Sequence, residues 1–97
     1  LSRLREDLGA ARAAFDAAIE ALEVPEIRAQ THILIAISGA VGAERLHRLT
    51  EVLNIAAKRR RLDDLAALHG PCRVALDALI AHVDETMARH GLDPGPG

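Results

Sequence analysis

Apolar side chains recur along most of this chain at spacings of three and four residues, the period of an amphipathic α-helix. The first segment shows this most clearly, with a stripe made of Leu4, Leu8, Ala11, Phe15, Ala18 and Leu22. The strand period, in which apolar and polar residues alternate, is absent. The pattern therefore predicts an all-α protein.

Four helical segments follow from this period and from the breaks between them. The predicted helices run from about Ser2 to Leu22, from Pro25 to Val41, from Gly42 or Ala43 to Arg59, and from Leu62 to His90. Proline suits the first turn of a helix because no backbone N–H is needed there. Short connections between consecutive amphipathic helices predict an antiparallel up-down four-helix bundle.

Two of these helices have unusual features. The second is apolar nearly all round, because Ile33 and Ile37 lie beside its main stripe of Ile27, Thr31, Leu34, Ser38 and Val41. We therefore expect neighbouring helices to cover most of it. Pro71 lies inside the fourth helix, and we expect a kink or a one-residue break there because proline removes a backbone hydrogen bond.

Length and composition limit the classes of function. The 97 residues form one domain, which we place at 1–91, with a flexible tail or linker at 92–97. A net charge of −2 and a single aromatic residue argue against a nucleic-acid partner. No apolar run reaches the length of a transmembrane helix, so no direct membrane contact is expected.

The cysteine and most of the histidines have an ordinary interpretation. Cys72 is the only cysteine, so no internal disulfide can form. His69 lies three residues before Cys72, but two ligands are too few for a structural zinc site. We therefore predict no metal site, a partly buried core cysteine and histidines on the surface.

His32 is the residue with the most distinctive surroundings. A leucine follows it two residues later at Leu34, and a small residue follows six later at Ser38. The pair Gly42-Ala43 comes ten and eleven residues after it, and Leu46 comes fourteen after it. In this spacing the chain resembles the histidine-containing phosphotransfer (HPt) domain of bacterial phosphorelays, over most of its length.

The resemblance implies a helical bundle that carries a phosphoryl group and is not a self-contained enzyme. His32 would accept the group from a receiver-domain aspartate and pass it to another receiver. The implied partners are a response-regulator receiver domain, a hybrid histidine kinase, or both. No cofactor of its own is implied, since Mg²⁺ would lie on the receiver. The location would be cytoplasmic, and the chain could be a domain of a larger sensor kinase.

The chain departs from the family pattern in three ways. Ile35 stands where the family has lysine, and Ala36 stands where it has glycine. Arg60-Arg61 replaces the Gly-Asp turn that usually precedes the last helix. Without the lysine, a cation is missing that would stabilise phosphohistidine by charge-assisted contacts.

We expect Arg28 to replace that lysine in part, because it lies four residues before His32 and so on the same helical face. The partner-docking surface is expected at Ile35, Ala36 and Gly39. Of these, the small residues Ala36 and Gly39 would leave the imidazole open to a partner.

Two other functions remain open. A degenerate HPt-like domain could act as an interaction or dimerisation module that is never phosphorylated. A small helical domain of this kind could also regulate a kinase by binding its receiver or its dimerisation helices. Phosphorylation of His32 would distinguish the first function from these two.

Overall fold

A computed structural model of the protein describes residues 2–90 as four α-helices. They are α1 (Ser2–Ala21), α2 (Val24–Val41), α3 (Glu44–Lys58) and α4 (Leu62–Arg89). Residues 2–90 contain no strand, which confirms the predicted all-α class. The last helix ends at Arg89, one residue before the predicted end at His90. The expected tail at 92–97 lies outside the described residues, so the domain boundary stays a prediction.

The helices are arranged as a closed ring. Each packs against its neighbours in sequence, and α1 also packs against α4, while the backbones of the diagonal pairs, α1–α3 and α2–α4, stay further apart across the core. This is the arrangement of an antiparallel up-down four-helix bundle. No helix within residues 2–90 combines the length and the apolar character needed to cross a membrane.

The predicted apolar stripes form the core, but the buried face of α2 is narrower than its apolar sequence suggested. Phe15, Leu34 and Leu53 are fully buried, as are most stripe residues of every helix. The expectation that neighbours cover most of α2 is wrong, because Ile33 is 45% exposed and Val41 is 40% exposed. Two neighbouring helices cover only one side of α2, and its outer face stays open to solvent.

Three corners of the same design join the helices. Each has one residue with left-handed backbone. The residue after it has extended or intermediate backbone and immediately precedes the next helix. The left-handed residues are Leu22 and Arg60, each with φ 52°, and Gly42 with φ 72°. At the second corner, Ala43 N–H donates to Ser38 O (2.9 Å) and Gly42 N–H donates to Gly39 O (3.4 Å). These bonds occupy carbonyls that a helix end leaves free.

Two of the corners have a residue other than glycine in left-handed backbone. Leu22 and Arg60 hold left-handed backbone although they carry a Cβ, which costs about 1 kcal/mol relative to glycine. The N-cap residues, which immediately precede α2, α3 and α4, are Glu23, Ala43 and Arg61, and none forms a side-chain capping bond. At the last corner, the Gly-Asp pair of the HPt pattern would supply both features: glycine for the left-handed position and aspartate for the cap.

The expected break at Pro71 does not occur. α4 is continuous from Leu62 to Arg89, with Pro71 inside it. Proline removes the bond to the carbonyl four residues earlier, which belongs to Ala67. Ala67, Gly70 and Pro71 are all exposed, so water can reach that carbonyl.

A polar cluster joins α1 to α4. Asp16 accepts hydrogen bonds from His69 Nε2–H (2.7 Å) and from Arg73 Nη1. Asp77 pairs with both Arg73 and Arg12, at 3.3 Å and 3.0 Å. The prediction of surface histidines is therefore wrong for His69, whose side chain is only 24% exposed. Its ring also meets Phe15 edge-on, with centroids 5.5 Å apart.

The prediction of a core cysteine is confirmed. Cys72 is 1% exposed and belongs to the main apolar cluster. Burial raises the pKa of its thiol from 9.0 to about 11, because the apolar surroundings disfavour the thiolate.

Replacing Arg60 by glycine should stabilise the bundle. Arg60 is exposed and forms no ion pair within residues 2–90, so the main change is the relief of left-handed backbone strain. We expect the free energy of unfolding in urea to rise by about 0.5–1 kcal/mol. Gly42→Ala is the matched control and should lower it by a similar amount. An unchanged or lowered stability for Arg60→Gly would contradict the corner geometry.

Alkaline pH should weaken the fold through Cys72. The unfolded thiol ionises near pH 9 and the folded thiol near pH 11, so its contribution is complete below pH 9 and falls between pH 9 and 11. Two pH units correspond to about 2–3 kcal/mol. Urea unfolding at pH 8 and pH 10.5 should show this loss for the natural chain. Cys72→Ala should be less stable at pH 8 but should lose less on going to pH 10.5, and equal losses would refute the assignment.

Candidate functional site

His32 lies on the outer face of α2. With about 100° between successive residues of a helix, it is on the side away from the buried Ile27, Thr31 and Leu34. Its side chain is exposed, and it forms no hydrogen bond or ion pair with any other residue in the range 2–90. The imidazole is therefore open to a docking partner, and no contact fixes its ring.

The predicted docking residues share this face. Ala36 lies one turn after His32 and is exposed, so only a methyl group borders the ring on that side. Gly39 is exposed as well, and Ile35 is half-buried. The surface beside the ring is thus low and mostly apolar.

Arg28 lies one turn before His32 on the same face, as the spacing predicted. It is exposed, and across residues 2–90 it forms no salt bridge. Several other arginines are held by carboxylates, for example Arg5 by Asp84 at 2.7 Å. The guanidinium of Arg28 is therefore available for an anion at His32.

Gly39 has a structural role that the sequence did not reveal. A Cβ built on it would lie 3.4 Å from Cε1 of His47, which reaches over from α3. That distance is an ordinary van der Waals contact, so Gly39 packs against the His47 ring although a small side chain would also fit there. Gly39 serves the α2–α3 packing as well as the outer face.

His47 was predicted to be an ordinary surface histidine; its side chain is 34% exposed, but it also makes contacts with α2 that the sequence did not reveal. Its Nδ1 lies 3.2 Å from the carbonyl oxygen of Ile35 and 3.2 Å from Ser38 Oγ. The buried Ser38 hydroxyl donates its own hydrogen to Leu34 O at 2.6 Å. Since both partners then act as acceptors, the ring must carry its hydrogen on Nδ1.

The other nitrogen of His47 faces Glu51. Nε2 lies 3.6 Å from Oε1 of Glu51, one turn further along α3. The spacing of four residues could have suggested this pair, but the contacts of His47 with α2 depend on packing that no local pattern reveals.

Beside His47, an open cavity of about 390 Å³ lies between the end of α2 and the start of α3. Its lining includes Gly39, Gly42, Glu44 and Arg48 in addition to His47. No group of three or more His, Cys, Asp or Glu side chains within the described residues is arranged to hold a metal ion. His69 and Cys72 do not converge, since Cys72 is in the core and His69 is bonded to Asp16.

Comparisons of the chain with protein-family models, with curated proteins and with solved structures give no match. The fold and the geometry of the side chains therefore carry the functional argument.

Proposed function

We propose that the protein is a histidine phosphotransfer module, in which His32 accepts a phosphoryl group from the aspartate of a receiver domain and passes it to another. The observation that carries this proposal is the exposure of His32 on a bundle face bordered by small residues, with the unpaired Arg28 one turn away. The spacing of His32 to Gly42-Ala43 and Leu46, which resembles the HPt pattern, supports it further.

Neutral imidazole suits this chemistry. Its reference pKa of about 6.5 leaves a nucleophilic nitrogen near neutral pH. Transfer breaks the acyl-phosphate bond of the donor and forms an N–P bond, and the donor aspartate leaves as a carboxylate. Such transfer depends mainly on positioning and on neutralising the charge of the phosphoryl oxygens. His32 and Arg28 contribute a nucleophile and one positive charge.

The remaining requirements fall to the partner. A receiver domain or hybrid kinase would supply the Mg²⁺ and the carboxylates that hold it, so the protein would act as a carrier without a cofactor. Such a role would place it in the cytoplasm, alone or as part of a larger sensor kinase.

A second candidate is a binding module that is not phosphorylated. The exposed apolar side chains favour it: Ile33 on α2 is 45% exposed, and Val52 and Ile55 on α3 are 51% and 50% exposed. Apolar side chains on the surface are typical of the centre of a protein interface. In this function the surface would bind a partner without phosphoryl transfer.

Phosphorylation of His32 distinguishes the two candidates. The protein is incubated with receiver domains labelled by acetyl phosphate, and label that is acid-labile and base-stable is measured. We expect label on the natural chain and on His82→Gln, an exposed histidine of α4, but none on His32→Gln. Binding of receivers without any label would favour the interaction module.

Loss of Arg28 should weaken the phosphorylated state. Exposed charge contacts contribute about 0.5–1 kcal/mol, so Arg28→Ala should shorten the phosphohistidine lifetime or slow its formation by about two- to fivefold. Arg45→Ala is the matched control, because Arg45 is exposed, forms no ion pair within residues 2–90 and lies at the opposite end of the bundle. Equal rates and lifetimes for both variants would remove Arg28 from the site.

A bulky side chain beside His32 should prevent docking. Ala36→Trp places an indole one turn from the imidazole on the exposed face, so we expect phosphoryl transfer to fall at least tenfold while the helical circular dichroism is unchanged. Ala81→Trp, at an exposed site on α4, should transfer normally. Normal transfer by Ala36→Trp would show that a partner does not approach over this face.

A further inference from the structure

An apolar groove runs along the surface between α3 and α4. Near the corner that joins these helices it deepens into an open cavity of about 340 Å³. Val52 and Ile55 of α3 line one side of the cavity, and Ala67 and Leu68 of α4 line the other. Val52 is 51% exposed and Ile55 is 50% exposed. Branched apolar side chains that stay open to solvent beside a cavity are typical of a protein-binding surface.

The apolar surface continues along α4. Ala67, Pro71, Val74 and Ala78 are spaced by four, three and four residues, so they lie on one face of the helix. All four are exposed. Ala78 lines a second open cavity, of about 290 Å³, together with Arg45 of α3. These residues and the lining of the first cavity form the α3–α4 groove, in which the distance from Ala67 to Ala78 is about 16 Å, or three helical turns.

The cations of α3 and of the corner after it are mostly unpaired. Residues 45–61 hold six of the chain's twelve Lys and Arg residues, and Glu51 is the one acid among them. Within residues 2–90, Arg61 alone of these six forms an ion pair, with Asp64 at 3.8 Å. The five arginines of α1 and α4, in contrast, all pair with carboxylates of the bundle. The bundle therefore neutralises its cations everywhere except beside this groove and at Arg28.

These cations border the α3–α4 groove. Arg48 lies one turn before Val52 on α3, and Arg59 follows one turn after Ile55, so a positive charge stands at each end of the apolar pair. At the corner, residues 58–64 carry four positive and two negative charges. The groove thus combines an apolar floor with a rim of net positive charge.

An acidic amphipathic helix suits this combination. Such a helix binds in a groove through apolar side chains at positions i, i+3 or i+4, and i+7, and three turns contain a set of this kind. Carboxylates beside those side chains would meet the unpaired cations of the rim, whereas a basic helix would be repelled. The shape of the groove and its charge therefore select the same kind of partner.

Other occupants fit the groove less well. A bilayer surface is flat and would touch Val52 and Ile55 without reaching Ala56, which is buried at the floor. Single-stranded nucleic acid stacks on aromatic side chains, but the only aromatic residue, Phe15, is fully buried in the core. A second copy that bound groove to groove would bring the same excess of positive charge to the contact.

We propose that the α3–α4 groove binds an acidic amphipathic helix of a partner protein. The apolar side chains of that helix pack against Val52 and Ile55, and its carboxylates pair with Arg48 and Arg59. The proposal does not depend on phosphoryl transfer at His32, which lies on the outer face of α2. It names a partner for part of the apolar surface that an interaction module would use.

Two synthetic peptides test the proposal on the full chain. Each is about 16 residues long, carries fluorescein and has leucine at positions i, i+3 or i+4, and i+7. The remaining positions are glutamate and alanine in one peptide, and lysine and alanine in the other. Fluorescence anisotropy should show the glutamate peptide binding at least tenfold more tightly, with an affinity that falls as salt is added. No binding of the glutamate peptide, or equal binding of both, would overturn the proposal.

An apolar pair of variants locates the bound peptide. Ile55→Asp should weaken binding of the glutamate peptide at least tenfold, because it places a carboxylate on the apolar contact. Ile33→Asp is the matched control, since Ile33 is 45% exposed but lies on α2, and it should bind as the natural chain does. Both side chains are exposed, so circular dichroism should show both variants folded. Equal effects of the two substitutions would mean that the peptide does not lie in the groove.

A charged pair of variants tests the rim. Arg48→Glu should weaken binding of the glutamate peptide at least threefold and should reduce its preference over the lysine peptide. Arg28→Glu makes the same change of charge at an exposed cation of α2 that is also unpaired within residues 2–90, and it should have less than a twofold effect. Equal losses in both variants would show only a general response to net charge and would refute the rim.

Two further measurements recognise the other occupants. A dimer in sedimentation of the protein alone, dissociated by Ile55→Asp, would mean that a second copy fills the groove. Flotation with vesicles of phosphatidylserine and phosphatidylcholine, lost in Arg48→Glu, would mean that the groove meets a membrane surface. Either result would overturn the proposal, and we expect a monomer that does not float with the vesicles.

Discussion

The short corner between consecutive helices is the constraint on which the rest of the bundle depends. A left-handed residue followed by the residue just before the next helix reverses the chain at Leu22, Gly42 and Arg60, and each connection is only two or three residues long. Such a short connection forces consecutive helices to lie side by side and antiparallel. It also limits how far each helix can rotate about its axis. The outward direction of His32 therefore follows from the corners on either side of α2 together with the apolar stripe between them.

The helical period predicted the four helices, their approximate ends and most of the core, because these depend on local spacing. It overestimated the burial of Ile33 and Val41, since the width of a stripe does not show how many neighbours will cover a helix. The left-handed backbone at Leu22 and Arg60 was not predictable, because leucine and arginine are not turn signals. At both residues the packing of the bundle outweighs the backbone preference of the residue itself. The same holds at Pro71, because α4 continues through it although proline disfavours a helix interior.

Sequence spacing located the candidate site but did not separate its two histidines. It identified His32, Ala36 and Arg28 as neighbours on one face, because helical geometry alone places them there. It could not foresee that Gly39 lies against the ring of His47, nor that Asp16 accepts from His69, because these contacts join residues that packing brings together. The result is one imidazole that is free and another whose tautomer is fixed.

The contact between α1 and α4 is the only one within residues 2–90 that joins helices not adjacent in sequence. The other three interfaces close over corners of two or three residues, and closing so short a loop costs little chain entropy. The α1–α4 seam instead closes over separations of 53 residues, from Asp16 to His69, and 57 residues, from Asp16 to Arg73. We therefore expect the three interfaces between consecutive helices to form first and the α1–α4 seam to close last. In the native state, opening of this seam would expose one side of both terminal helices, and hydrogen exchange of their amides would follow the strength of the Asp16 cluster.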